Sequence, residues 1–452
     1  MEGASGRSPD CDDAALPAGV FVPDCPVILV AQNASLKYGG EAARPLQYFR
    51  VMRRWGVDVH LVAHQRTRDE LRGLLSPEDF SRTYYAPDTA AQVWLWKIGR
   101  HFPDQFRVIS FDLVSHLITQ INQKQIVRRL VRELGAGLVH EPIPISPKTP
   151  SVMYGLGVPV VLGPLNGDMS YPPAFRKMDG LVTRTTLAVG RALSQVVNRF
   201  LPGKLRADLV LVSNARTASA LPRGMRGQVV QLVANAVDLR DWVPRQQGET
   251  SGPVRFVFLG RLVDFKMVDI LLEAFAEVVR ATDATLDVGG DGPELEKLKA
   301  LARRLELGDR VRFRGWLGAA ESAQLLRGSD VFVFPSLREC GGAVVAEAMA
   351  TGLPVICAAW GGPADYASEE CAVLVPPSDR AGMVCAFSRE MIRLARDPEA
   401  RRRMGGLARK RATSLFTWES RVRALLGLYQ EVLKAEFRSP ERGEATPQPV
   451  QA

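Results

Sequence analysis

Cysteine is scarce in this chain, and none of it is arranged for use. The six residues, Cys11, Cys25, Cys340, Cys357, Cys371 and Cys385, contain no C-x-x-C pair. That spacing argues against a zinc site or a disulfide scaffold and fits a reducing compartment. Long apolar runs are also lacking. No stretch approaches roughly 18 uninterrupted apolar residues, so no transmembrane helix is expected. The opening MEGASGRSPDCDDAALPAG has no basic start followed by an apolar run, and is not read as a secretion signal. Aromatic residues make up only 7% and never stud a basic sheet or a recognition helix, which excludes nucleic acid as the expected partner. The only D-x-D string, Asp10–Cys11–Asp12, lies in a polar tail, a poor place for a catalytic metal. No repeat of fixed period occurs.

What remains is an ordinary globular composition: 452 residues, 46% hydrophobic and 24% charged, with a net charge of +9. The length suggests roughly two or three domains. The charge permits an anionic substrate or membrane surface without demanding either. Arg401–Arg403 and Arg409–Arg411 sit at helical spacing and read as solvated helix faces.

Short apolar strands alternate with amphipathic helices, the mark of parallel α/β layers. In the first half the strands are Val27–Ala31, Val57–Val62, Leu138–His140, Val158–Leu162, Leu209–Ser213 and Val229–Val233. In the second they are Arg255–Leu259, Thr285–Gly289, Val311–Gly315, Val331–Phe334, Val355–Cys357 and Ala372–Val375. The expected organisation is a disordered tail (1–22), a first Rossmann-like domain (23–235), a linker (236–253), a second Rossmann-like domain (254–414), a helix crossing back to the first domain (415–436), and a disordered tail (437–452). Two doubly wound sheets facing each other leave a cleft at their strand C-terminal ends, where open α/β sheets bind ligands.

Chemistry concentrates in the second half. Residues 331–357, VFVFPSLRECGGAVVAEAMATGLPVIC, read as strand, loop, helix, strand. Gly341 and Gly342 at the strand-to-helix junction let backbone approach a ligand, and the free N–H groups of the first helical turn face any anion placed there. Glu339 on the loop and Glu347 in the helix are carboxylates suited to hydroxyl groups, those of a sugar and a ribose. The alternative is a surface acid and a helix-face acid. Gly260–Arg261 closes another strand, with Lys266 five residues on. A guanidinium and an ammonium there form a natural diphosphate clamp, or else two surface cations. Gly289–Gly290–Asp291–Gly292–Pro293 is a second glycine-rich turn, required by the fold whatever it binds. In the first half, Gly39–Gly40 precedes a helix carrying Leu46, Phe49 and Met52 on one face; as a bare pair it equally suits a simple turn.

Taken in order, FLGRLVDFK, GGDGPELEKL, VRFRGWL, SDVFVFPSLRECGGAVVAEAMATGLPVI, GGPADY and FTWES resemble the retaining GT-B glycosyltransferases of family 4, the glycosyl transferases group 1. The likeness covers nearly all of residues 254–435 and includes two glutamates with seven residues between them. It is thinner in the first half, at Gly39–Gly40 and LVHEP. The resemblance implies that Arg261 and Lys266 hold a donor diphosphate, that Glu339 meets the donor sugar and that Glu347 holds the ribose. It implies further that Gly341, Gly342, Gly39, Gly40 and Gly290 approach the donor with backbone, and that His140 reaches the donor sugar from the facing domain. Three residues depart from the family pattern. Met267 follows Lys266 where glycine is usual, Ala236 replaces glycine in Asn–Gly–Val–Asp, and Cys340 stands where many relatives carry an aromatic residue.

The implied reaction is hexosyl transfer (EC 2.4) from a nucleotide-diphosphate sugar to a hydroxyl of a glycan or lipid-linked glycan, with retained anomeric configuration and neither metal nor cofactor. The setting would be polysaccharide biosynthesis in the cytoplasm, with peripheral contact on the inner face of the membrane. Two other readings share the architecture: a sugar-nucleotide epimerase, and a non-catalytic nucleotide-sugar binder. The donor base and sugar, and the acceptor, are not written in the sequence. The basic stretch Pro173–Lys204, with Arg176, Lys177, Arg184, Arg191, Arg199 and Lys204, suits either docking on anionic lipid or a surface helix covering the sheet.

Overall fold

The computed structural model describes residues 16–101, 111–167, 169–178, 194–245, 252–434 and 448–449. The first sheet is built from β1 (Val27–Val30), β2 (Val59–His64), β3 (Thr83–Ala86), β4 (Leu138–Glu141), β5 (Val160–Leu165), β6 (Leu209–Val212) and β7 (Gln228–Gln231). The second contains β8 (Arg255–Leu259), β9 (Thr285–Gly289), β10 (Val311–Gly315), β11 (Val331–Phe334), β12 (Val355–Ala358) and β13 (Ala372–Val375). A two-residue β14 (Gln448–Pro449) pairs with the outer edge of β7. All pairings are parallel.

The strands are runs of Val, Ile, Leu and Phe because helices cover both faces of each sheet, so both sides of a strand must be apolar. β1, β11 and β12 are accordingly buried at every position. β3 is the strand that apolar patterning misses. Its sequence, TYYA, is half-buried at the two tyrosines and is recruited by pairing with β2.

Strand order places the ligand-binding edges. The first sheet runs β14-β7-β6-β5-β4-β1-β2-β3 and the second β10-β9-β8-β11-β12-β13. The order reverses between β1 and β4 in one and between β8 and β11 in the other. At a reversal the following helices leave to opposite sides and open a crevice beyond the strand C-termini.

Six helices matter below: α1 (Gly40–Arg54), α2 (Ala90–Gly99), α3 (Leu113–Leu134), α4 (Val268–Ala281), α5 (Ala343–Ala350) and α6 (Trp418–Lys434). α6 is the expected crossing helix. Its Val422, Leu425, Leu426 and Tyr429 join the core of the first sheet with Leu46, Phe49 and Met52 of α1. Burying each such aliphatic side chain contributes roughly 1.5–3 kcal/mol, enough for this face to hold the last helix on the first lobe. Arg54 of α1 and Glu419 of α6 add an ion pair at 3.2 Å on the rim.

Candidate functional site

The crevice between β8 and β11 is a cavity of about 610 Å³. Arg261, Lys266, Gly290, Glu339, Gly342 and Glu347 all line it, together with Trp316. Each arrives from a different connection. β8 ends at Leu259, and the chain turns through Gly260 to the exposed Arg261. A short 3-10 turn, Asp264–Lys266, follows, and Met267 leads into α4 with φ 52°. Glycine is the residue at ease in that left-handed conformation, so methionine holds the same loop shape at some cost in strain. The strain is tolerated because the Met267 side chain is buried in the core of the second lobe.

The glycine-rich turn after β9 braces this loop. Gly260 N–H donates to Gly289 O at 3.0 Å and Leu262 N–H to Asp291 O at 2.9 Å. Gly290 has φ +133°, and a Cβ there would lie 1.9 Å from Gly260 O. Only glycine allows the two turns to close this tightly.

On the β11 side the Lys266 ammonium contacts the Glu339 carboxylate (Nζ to Oε2) and sits 4.7 Å from the centre of the Phe334 ring. The other Glu339 oxygen faces the Gly342 N–H at 3.4 Å, where Gly342, at φ 58°, opens α5. A carboxylate thus occupies the mouth of the helix, where the unpaired N–H groups favour an anion. Arg261 has no hydrogen-bond or ion-pair partner among the described residues. Glu347 is partly buried without a charged neighbour, and desolvation pushes its carboxyl from the usual 4.5 up to about 7. An unsatisfied guanidinium, a paired ammonium and a desolvated acid therefore share one cavity. Such a set is complementary to a polyanion that also carries hydroxyl groups.

The first lobe meets this edge through a polar seam. Asn166 donates from Nδ2 to Cys340 O at 3.0 Å, Asn214 from Nδ2 to Asp365 Oδ2 at 2.8 Å, and Trp360 from Nε1 to Ser170 O at 2.9 Å. Gly341 is used in this seam: a Cβ on it would stand 2.2 Å from Asn235 Nδ2. It lies beside the cavity lining, not in it. Gly39, at φ 87°, and Gly40 start α1. Burial raises the Cys340 thiol, with the charges of Glu339 and, more weakly, of Glu41 in that first turn adding to it, which places the turn near the 340–341 loop. Arg44 on the same helix is buried and donates to Pro142 O, Pro164 O and Asn235 Oδ1 at 3.1–3.4 Å, tying the first lobe to the linker.

His140 is the sequence expectation that the geometry corrects. It lies on β4 with no solvent exposure and does not line the cavity. Its Nε2 is 2.6 Å from Gly163 O and its Nδ1 is 2.6 Å from the Tyr429 hydroxyl. A carbonyl can only accept, so Nε2 carries the proton and Nδ1 accepts from Tyr429. Both ring nitrogens are spent, and burial lowers the imidazole pKa to about 4. This histidine fastens the crossing helix to the first sheet. Lys204 is likewise corrected as a membrane-facing cation. It is buried, its ammonium donating to the carbonyls of Ser146, Pro147 and Thr149 at 2.6–3.1 Å. Arg184 and Arg191 of the same stretch lie outside the described residues.

Sequence reasoning missed two residues here. Trp316 is 76% exposed at the cavity rim, and only its place just after β10 hints at a role. Asn166 is buried with its Oδ1 unpaired. No local pattern marks it.

A second cavity of about 720 Å³ opens at the C-terminal edge of the first sheet. Gln32 after β1, Arg66 after β2 and Asp88 after β3 line it, with Trp96 of α2 and Ser115 of α3. Asp88 is 3.3 Å from the His64 imidazole, and His116 Nδ1 is 2.7 Å from Gln32 Oε1.

Two facing doubly wound sheets, with the last helix returning to the first lobe, define the GT-B fold. Residues 241–411 match the family described as Glycosyl transferases group 1, so the C-terminal part of this GT-B chain is similar to that family. The chain is 29% identical over 222 residues to a glycogen synthase of Mycobacterium tuberculosis, covering 49% of this chain and 51% of the relative. It is 32% identical over 254 residues to a D-inositol 3-phosphate glycosyltransferase of Streptomyces bingchenggensis, covering 51% and 54%. These matches span about half the length of the curated relatives. Among solved structures, Anabaena HepE in complex with UDP and glucose superposes with a TM-score of 0.55 at 15% identity, over 90% of this chain and all of the other.

Proposed function

We propose that the protein transfers a sugar from a nucleotide-diphosphate sugar to an acceptor hydroxyl, with retained anomeric configuration and without a metal. The observation that carries the reading is the convergence of Arg261, Lys266, Glu339, Glu347 and Gly342 on one cavity at the β8–β11 crevice. The group 1 match and the likeness to a fold that holds UDP and glucose support it.

In this reading the donor's diphosphate enters between Arg261 and Lys266. It displaces Glu339 from the ammonium and takes over the mouth of α5, where fixed cations and helix N–H groups stabilise an anion. Glu339, released, turns to the sugar hydroxyls. Glu347 accepts from the ribose hydroxyls, and Trp316 offers a ring to the base. The bond between the anomeric carbon and the phosphate oxygen breaks as negative charge grows on the diphosphate. The acceptor oxygen bonds to the same face of that carbon, and its proton passes to the departing phosphate oxygen. The cavity at the edge of the first sheet, with Gln32, Arg66, Asp88 and Ser115, holds the acceptor; its mix of donors and acceptors suits a polyhydroxylated group.

The test is calorimetric titration of the purified chain with UDP-, GDP- and ADP-sugars, with chelator present, followed by product analysis with candidate acceptors. One donor class should bind and turn over with chelator added. Donor consumption without any acceptor would favour the epimerase reading. Tight binding with no turnover would favour a binder.

A further inference from the structure

α2 has a face that none of the described residues covers. Val93, Trp94 and Trp96 are 45%, 60% and 66% exposed. Tryptophan in water on a short helix is unusual unless the ring has a partner to enter. α3, which packs beside α2 through Gln92 and Thr119, exposes Val114 and Ile121 two helical turns apart at 45% and 49%. Five of the exposed large apolar side chains among the described residues thus belong to this helix pair.

The charge around that face is mostly positive, with exposed Arg66, Lys97 and Arg100 against Asp88 and Asp112. From Thr89 to His101 the chain carries Lys97 and Arg100 and no carboxylate. Both cations are exposed. Of those acids, Asp88 contacts the His64 imidazole and Asp112 precedes α3 on the rim of the same cavity. Tryptophans that can seat at headgroup depth, beside cations that outnumber the nearby carboxylates, match an anionic lipid surface. Away from the cavity edge that Trp96 shares, the helix presents Trp94 and Lys97 on a convex surface with no pocket, among the described residues, for a protein partner's side chain.

We propose that α2 is a membrane-docking element, with Trp94 and Trp96 seated at the headgroup layer of an anionic bilayer and Lys97 and Arg100 on its phosphates. This moves lipid contact away from the 173–204 stretch, whose Lys204 is internal. The same helix lines the cavity of the first lobe through Trp96. Docking therefore brings the mouth of that cavity to the lipid surface. On the transfer reading above, the acceptor is then lipid-borne, its polar head in the cavity and its chain left in the membrane.

The experiment is co-sedimentation of the full chain with vesicles of phosphatidylcholine alone or with phosphatidylglycerol, alongside tryptophan quenching by brominated acyl chains. The wild type should sediment with the anionic vesicles, its emission quenched, and less so as salt rises. The double variant W94S/K97E, neither residue lining either cavity, should partition about tenfold less or worse, since each cation near such a surface contributes ~1 kcal/mol and reversal doubles that loss. Its melting temperature and nucleotide-sugar affinity should match wild type. Wild-type chain that stays in the supernatant, equal binding to neutral vesicles, or a double variant that binds like wild type would overturn the proposal. So would loss of a dimer, and not of lipid binding, in the variant. Lipid binding with no turnover of any nucleotide sugar would instead leave docking intact and remove the transfer reading.

Discussion

Arg261 and Glu347 carry opposite kinds of unsatisfied charge, and each predicts a different measurement. The guanidinium is exposed and unpaired among the described residues, so removing it should not disturb the fold. In the proposed transition state it stabilises a departing diphosphate, and losing one preorganised contact of that kind costs about 3 kcal/mol, or roughly 10²-fold in kcat. Arg261→Ala should therefore melt like wild type and turn over roughly a hundredfold more slowly; wild-type turnover would remove the clamp. Glu347 acts through its proton. Its carboxyl titrates at about 7 in the folded chain against 4.5 when free. Between those values the folded state holds a proton that the unfolded state lacks, so stability is lost as pH rises through that window and stays lost above it. Glu347→Gln should raise the melting temperature of the unliganded protein at about pH 8 and do little at about pH 5. If Glu347 accepts from the ribose hydroxyls as proposed, donor affinity in wild type should fall below about pH 7, as the acid loses its charge, and the variant should lack that step. Trp316→Ala should weaken the nucleotide by about 1–3 kcal/mol if its ring stacks on the base. That the four charged residues share one cavity was legible in the sequence because the loops and the helix that carry them follow directly on strand C-termini. Trp316 was not: exposure is a property of what fails to pack against a residue.

At the scale of the element, the decisive contacts join two loops. The turn after β9 sets where Arg261 stands, because Gly260 and Leu262 hydrogen-bond to it. A methyl group on Gly290 would meet Gly260 O, and its φ of +133° is foreign to L side chains. Gly290→Ala should therefore lower the melting temperature and weaken donor binding by about tenfold or more, both read in one calorimetric series. A variant with normal donor affinity would show that the Arg261 loop does not depend on the brace. The glycines of this turn could be read from sequence because strand, glycine-rich turn and helix follow one another in order. Gly341 could not be placed so well. Whether it meets a ligand or the other lobe depends on Asn235, a hundred residues earlier. β3 escaped for a related reason: TYYA becomes a strand only when β2 offers it an edge.

The whole molecule is closed by a bond between its first sheet and its last long helix. Tyr429 donates to His140, which lies 289 residues earlier, and no periodicity in either segment reveals the pairing. A histidine on a strand near a cleft invites a catalytic reading; only the returning helix shows that both nitrogens are taken. The two readings separate cleanly in one variant. Tyr429→Phe keeps the ring and its packing against His140 but leaves Nδ1 buried and unpaired, a loss of about 1–3 kcal/mol. If His140 fastens the helix, Tyr429→Phe should lower the melting temperature and leave donor affinity and kcat of the folded protein unchanged. The pH dependence follows from the same burial. The imidazole titrates at about 4 when folded and 6.5 when free, so the unfolded chain takes up a proton that the native state refuses. Stability is thus present above about 6.5 and lost as pH falls towards about 4, and His140→Gln should show a shallower acid-side loss than wild type, with His116, also lowered to about 4, supplying the remainder. A fall in kcat with an unchanged melting temperature in Tyr429→Phe would return His140 to the reaction, because the hydroxyl would then be tuning a proton that chemistry uses.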